Sequence, residues 1–323
     1  MTLPHSLLLM GGGILLLLAG AEALVRGASA LALRIGITPL VVGLTVVAIG
    51  TSSPELVVSV QAALAGRGGV AIGNVVGSNV ANLGLIVGVA ALLTPMMVDR
   101  ELVRHDVPIM LAAMALLAAF LIDGTLGRVE GLVLLAGAVL YTVWKIRSSR
   151  RSVRAQHAAE GVPEDVLAAR DAPASALWRY VLYVIGGIAL LVYGSELLLN
   201  GAVAVATLLG VSEAVVGLTL IALGTSLPEL ATTVAAARHG EGELALGNAV
   251  GSNIFNVFSV LGPAGLVAPM SAEGVGVDVL AIMGGFGLVT LAFLVTGGRT
   301  QRWEGLVLLG GYAGYVAWVV AGA

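Results

Sequence analysis

Apolar residues run along this chain in long unbroken blocks, with charges and turn residues gathered between them. Ten blocks lie near 6–25, 37–64, 70–93, 107–122, 129–145, 179–199, 211–237, 244–268, 275–296 and 303–321. A helix needs about 20 apolar residues to cross the hydrocarbon core of a bilayer. The pattern therefore predicts an all-α integral membrane protein with ten transmembrane helices. A β-barrel would alternate apolar and polar positions, and these blocks do not. The first block carries Ala19-Gly20-Ala21, a cleavage-like triplet, but its leader holds only His5 in place of a basic segment. It is read as a span rather than a signal peptide.

Composition narrows the function classes. Of 323 residues, 58% are hydrophobic and 11% charged, with mean hydropathy +1.02. Soluble domains carry about 25% charged residues, so a soluble enzyme is excluded. A net charge of −3 leaves no basic footprint for nucleic acid. The absence of cysteine removes disulfides and thiolate chemistry together. Orientation follows the positive-inside rule. With the polar segment 146–178 in the cytoplasm, only Arg67 and Arg128 of the 16 basic residues fall outside. This places both termini outside and the chain in the cell (inner or plasma) membrane.

The chain repeats itself at an offset of 174. Gly50-Thr51-Ser52-Ser53-Pro54-Glu55 matches Gly224-Thr225-Ser226-Leu227-Pro228-Glu229, and Gly77-Ser78-Asn79 matches Gly251-Ser252-Asn253. The same offset pairs Glu22 with Glu196 and Pro95 with Pro269. Residues 41–88 and 215–262 agree at 26 of 48 positions without a gap. The division is 1–145 as a first five-helix repeat (motif 43–88), 146–178 as a cytoplasmic linker, and 179–323 as a second repeat (motif 217–262). Five spans is an odd number, so the second copy enters the bilayer from the opposite side. Such inverted-topology repeats are the common plan of secondary transporters, with the substrate near the midplane.

The polar residues inside spans cluster at the motifs. Pro54 lacks an N–H and clashes with the preceding turn, so the helix should break at 48–54 and free carbonyls including that of Ala48. Pro228 should do the same near Ala222. Glu55 and Glu229 lie at similar depth in the two copies. Buried carboxylates within a membrane are costly and usually functional, and two facing each other repel unless a cation lies between them. Two Glu, the hydroxyls of Thr51 and Thr225, and two freed carbonyls make a hard-oxygen cage suited to Ca²⁺. Zn²⁺ and Cu²⁺ would want His or Cys, and the four His lie at loops or span ends.

These motifs resemble the two α-repeats of the sodium/calcium exchanger family, of the prokaryotic type without a regulatory loop domain. The resemblance implies exchange of Na⁺ for Ca²⁺ by alternating access, electrogenic and serving Ca²⁺ extrusion, with spans 1 and 6 sliding across a fixed core. It implies a central Ca²⁺ site from Glu55, Thr51, Glu229 and Thr225. Flanking Na⁺ sites then use Ala48, Ser52, Ser78, Ala222, Ser226 and Ser252, with Asn82 and Asn256 completing the centre. Several family members have Asp where this chain has Asn256, so the centre here holds two carboxylates rather than three. The implied partners are Ca²⁺, Na⁺ and the bilayer, with no cofactor and no obligatory protein partner evident.

Blander readings stand beside these. The Thr and Ser hydroxyls can bond back to their own helices, and Asn74, Asn79, Asn248 and Asn253 can tie helices together. Glu22 can pair with Arg26 one turn on; Glu196, like it, sits near a span end and is not counted as a ligand. Ca²⁺/H⁺ exchange on the same scaffold and a cation channel are the rival functions. A membrane enzyme is disfavoured: no His lies in a span centre for a serine nucleophile, and Asp278 is the only Asp expected within a span.

Overall fold

The computed structural model describes residues 3–160, 174–208 and 222–322. Among these, helix dominates. The elements are α1 (Leu3–Ile35), α2 (Pro39–Thr51), α3 (Ser53–Leu64), α4 (Gly68–Leu93), α5 (Leu102–Phe120) and α6 (Arg128–Glu160). They continue with α7 (Ala174–Leu208), α8 (Ala222–Thr225), α9 (Leu227–Arg238), α10 (Gly242–Val267), α11 (Val277–Gly297) and α12 (Arg302–Gly322). Eight described helices are long and apolar enough to span a membrane, or nine with the bent pair α2–α3 taken as one. The first part of the seventh expected span, 211–221, lies outside the described residues.

Where the structure departs from the sequence reading, the reasons are local. Helix α6 continues through charged residues to Glu160, and α7 begins at Ala174, so the expected linker is helical at both ends. Charges end a membrane span but not a helix, since a solvated helix tolerates Arg and Glu well. Two short strands, Thr125–Leu126 and Met270–Ser271, pair antiparallel at one rim of the otherwise helical fold. Asp106 lies fully buried at the start of α5, which corrects the reading of Asp278 as the sole Asp in a span.

The 174-residue offset is visible in three dimensions. The strand pair Thr125↔Ser271 and the isolated bridge Met97↔Arg299 interchange under it. Helices α1 and α7 pack along glycines spaced by seven. A Cβ on Gly13 would lie 2.6 Å from the Gly194 carbonyl, and one on Gly20 2.9 Å from the Gly187 carbonyl. Rising residue numbers on α1 meet falling ones on α7, so these two offset-related helices run antiparallel. Small residues let helix backbones approach closely in a membrane.

Candidate ion-binding site

Both expected breaks occur, one at Ser52 and one at Ser226. Their backbones are nearly identical, with φ −80° and ψ 10° at Ser52 and φ −88° and ψ 6° at Ser226. Proline in the first turn of α3 and α9 removes the N–H that would continue the preceding helix. The first pair, α2 and α3, bends by 46°. Each break sets a Glu in the first turn of the helix that follows, Glu55 on α3 and Glu229 on α9.

The two halves then exchange partners. Ser52 Oγ donates to Glu229 Oε1 at 2.9 Å, and Ser226 Oγ donates to Glu55 Oε1 at 3.2 Å. Thr51 lies beside the Glu229 carboxylate and Thr225 beside that of Glu55. Both Glu side chains are fully buried. No ion pair reaches either of them among the described residues. The second carboxylate oxygen of each, Oε2, has no hydrogen-bond partner. Two buried acids without a cation nearby are untenable in ionised form, because the interior cannot repay the lost hydration.

The remaining predicted residues sit on two matching helices. Ser78 and Asn82 lie on α4, Ser252 and Asn256 on α10, all buried. A π-helical turn opens at each Asn, over Asn82–Ile86 and Asn256–Val260; such turns are frequent at functional sites. Helix α10 packs against α2 and α4 against α8, which brings these side chains to the breaks. The Ser78 and Ser252 hydroxyls, both polar atoms of Asn82 and the Asn256 Oδ1 are unpartnered. Asn256 Nδ2 donates to Asn79 Oδ1 at 3.1 Å. Unpartnered buried polar atoms are rare in native folds, and seven of the eleven found among the described residues fall on residues read as ion ligands; the other four are on Ser29, Thr232, Asn253 and Thr290. No group of three or more His, Cys, Asp or Glu comes together among the described residues.

One expectation fails. The Ala48 carbonyl is not freed: it accepts the Ser52 N–H at 3.0 Å, because the backbone closes one more helical bond before the break. Ala222 opens α8, and its side chain lies outside the described set. Of the four amides read as ties between helices, Asn74, Asn79 and Asn248 donate across helices, whereas Asn253 Nδ2 donates to the Ala249 carbonyl of its own helix at 2.7 Å. Asn74 Nδ2 donates to Ser59 Oγ at 3.0 Å and to the Glu55 carbonyl at 3.3 Å; Asn248 Nδ2 does the same to Thr233 Oγ1 at 2.9 Å and the Glu229 carbonyl at 3.4 Å. The Thr51 hydroxyl has one proton and three acceptors within reach, the Val47 carbonyl at 3.1 Å, Asn248 Oδ1 at 3.2 Å and the Ala48 carbonyl at 3.4 Å.

A buried cluster the sequence reading missed lies away from the breaks. Lys145 Nζ bonds Asp106 Oδ2 at 2.6 Å, and Tyr141 OH donates to Asp106 Oδ1 at 3.0 Å. In the sequence Lys145 is one of the basic residues that the positive-inside rule places on the cytoplasmic side. The two charges stand 39 residues apart at opposite span edges, and the usable signal was a Tyr and a Lys one turn apart on α6.

Comparison with known proteins agrees with this geometry. The model of the sodium/calcium exchanger protein family matches residues 5–147 and 179–321. The chain is 39% identical over 273 residues to CaxA of Alkalimonas amylolytica, covering 82% of this chain and 83% of that one. It is 34% identical over 299 residues to the sodium/calcium exchanger MaX1 of Methanosarcina acetivorans, covering 82% and 84%. A solved structure of the sodium-calcium exchanger NCX_Mj superposes with a TM-score of 0.84 at 30% identity, over 98% of this chain and 99% of that one. The chain belongs to the sodium/calcium exchanger protein family and is a multi-pass membrane antiporter.

Proposed function

We propose that this protein exchanges Ca²⁺ for Na⁺ by alternating access, with the cargo held between Glu55 and Glu229. The observation that carries this reading is the pair of unpartnered Oε2 atoms on two fully buried carboxylates, with further unpartnered hydroxyl and amide oxygens on the helices that pack against the breaks. A divalent cation neutralises both acids at once, and six to eight hard oxygens suit Ca²⁺. In this proposal Thr51, Thr225 and the carbonyls of Ala48 and Ala222 complete the Ca²⁺ cage. Ser52, Ser226, Ser78, Ser252, Asn82 and Asn256 serve Na⁺ when Ca²⁺ leaves. Because both ions need the same two acids, they bind alternately, and only the neutralised cage crosses the occluded state cheaply.

The same reading takes the fold as ten spans in two inverted five-helix repeats. It is supported by the antiparallel run of α1 and α7, which places the relating axis across the helices rather than along them. The proposed topology keeps both termini outside and 146–178 in the cytoplasm of a cell membrane. A cycle that moves one net positive charge inward gains about 2.3 kcal/mol per 100 mV of inside-negative potential, which drives Ca²⁺ out.

The test is uptake of radiolabelled Ca²⁺ into proteoliposomes, driven separately by a Na⁺ gradient and by a pH gradient. Uptake is expected with the Na⁺ gradient alone, accompanied by charge movement. Uptake driven only by the pH gradient transfers the assignment to Ca²⁺/H⁺ exchange. Uptake that needs no counter-ion gradient identifies a channel.

A further inference from the structure

Glu22 and Glu196 are partners under the 174-residue offset, yet their surroundings differ sharply. Glu22 on α1 is neutralised by Arg26 at 2.5 Å and lies 2.6 Å from His239 Nε2. The offset positions in the other half are Asn200 and Ala65, and neither can carry positive charge. Glu196 on α7 is exposed, and no ion pair includes it among the described residues.

Glu196 also borders a cleft of about 200 Å³, lined with it by Pro54, Val192, Leu199, Gly224 and Thr225. The wall is largely apolar. Two serines also line it, but Ser53 Oγ donates to the Ile49 carbonyl at 3.1 Å and Ser195 Oγ to the Val192 carbonyl at 2.7 Å, so both protons are turned away. Thr225, also in the lining, is 5% exposed and adjoins Ser226, which bonds Glu55. The cleft thus has in its walls both an exposed carboxylate and a residue next to the paired acids. Glu196 lies 22 residues into α7, roughly 30 Å along a helix rising 1.5 Å per residue. That puts it towards the end remote from 146–178, the outer side in the topology proposed above.

We propose that Glu196 is the cation-recruiting residue of the outward passage: it draws hydrated Na⁺ and Ca²⁺ into the cleft and hands them on without remaining a ligand. A single carboxylate between low-dielectric walls focuses its field along the opening and raises the local cation concentration. A cation at the mouth in place of a free carboxylate would do the reverse, and on the Glu22 side Arg26 cancels that attraction. The proposal rests on the exchange reading.

The experiment compares Ca²⁺ transport by wild type, Glu196→Gln and Glu196→Asp in oriented proteoliposomes, with Ca²⁺ titrated at each face in turn. For Glu196→Gln the half-saturating Ca²⁺ at the outer face is expected to rise about three- to tenfold at low ionic strength. The gap should close as salt screens the charge, while the maximal rate and the inner-face titration hold. Glu196→Asp, which keeps the charge, should behave as wild type. An unchanged outer titration for Glu196→Gln, an equal change at both faces, or failure of Glu196→Asp overturns the inference while leaving the exchange reading intact. A wild type without any coupled exchange overturns the exchange reading and this inference with it.

Discussion

The centre and the periphery of this molecule treat its duplication in opposite ways. At the centre the main features come twice: the break at Ser52 and Ser226, the crossed bonds to Glu229 and Glu55, and the amides of Asn74 and Asn248. Towards the ends of the helices some charges come once, although Glu130 and Glu304 form a matched pair of caps. The Asp106–Lys145 pair has Leu280 and Val319 at the offset positions, and the Arg26–Glu22–His239 group has no counterpart around Glu196. A cation held between two halves needs equal contributions from each. The helix ends face only one side of the membrane, where like treatment serves no purpose. Duplication therefore persists where the chemistry is shared and lapses where the surroundings differ.

The sharpest way to break this comparison is to unbalance the centre. Glu55→Gln and Glu229→Gln are each expected to reduce Na⁺-driven Ca²⁺ uptake to background, and by the same extent. Either change leaves one carboxylate to hold a divalent ion, so the cage no longer neutralises its cargo. Full exchange by one variant would show that the two acids are not equivalent, and normal exchange by both would remove them from the ion path.

The next largest effect should come from the unpaired feature. Lys145 is 1% exposed and Asp106 fully buried, so Lys145→Met leaves a buried carboxylate without its cation. Breaking such a pair from one side costs about 3–5 kcal/mol, whereas replacing both members by apolar residues is often neutral. The double change Asp106→Leu with Lys145→Val installs the residues found in the second half. It should recover most of the stability lost in Lys145→Met, measured as thermal unfolding in detergent. A double variant no more stable than the single one would mean that the second half's solution does not transfer.

How much of this was legible beforehand divides along the same line. The repeat, the two breaks and the ligand-bearing helices follow from local chemistry: proline cannot continue a helix, and a carboxylate inside an apolar block is conspicuous. Sequence reasoning failed where the partner is distant or the rule is permissive. Asp106 and Lys145 sit at polar span edges, where charges are ordinary, and only the packing of α5 on α6 makes them interior. The helix running on to Glu160 could not be seen because span length is bounded by the bilayer while helix length is not. The Ala48 carbonyl shows a finer limit, since Pro54 removes the bond to the carbonyl four residues before it, at Gly50, and leaves that of Ala48 paired. The seven-residue glycine spacing at Gly13, Gly20 and Gly27, matched by Gly187, Gly194 and Gly201, was open to inspection and marks the α1–α7 seam.

The smallest expected effect concerns the second unpaired feature. Arg26 is 67% exposed on its side chain and Glu22 36%, so water screens their attraction despite a 2.5 Å contact. Exposed pairs of this kind contribute about 0–1 kcal/mol. Arg26→Ala should therefore shift the unfolding midpoint only marginally, and the shift should vanish at high salt. Any larger loss would have to come from His239, which caps the end of α9 and reaches across to Glu22 on α1. A His239→Ala variant separates the cases. If both substitutions are nearly silent, the group is a surface cluster that only sets local charge. A salt-resistant loss in His239→Ala alone would make the Glu22–His239 bond a structural tie between α1 and the second broken span, a link for which the first half has no equivalent.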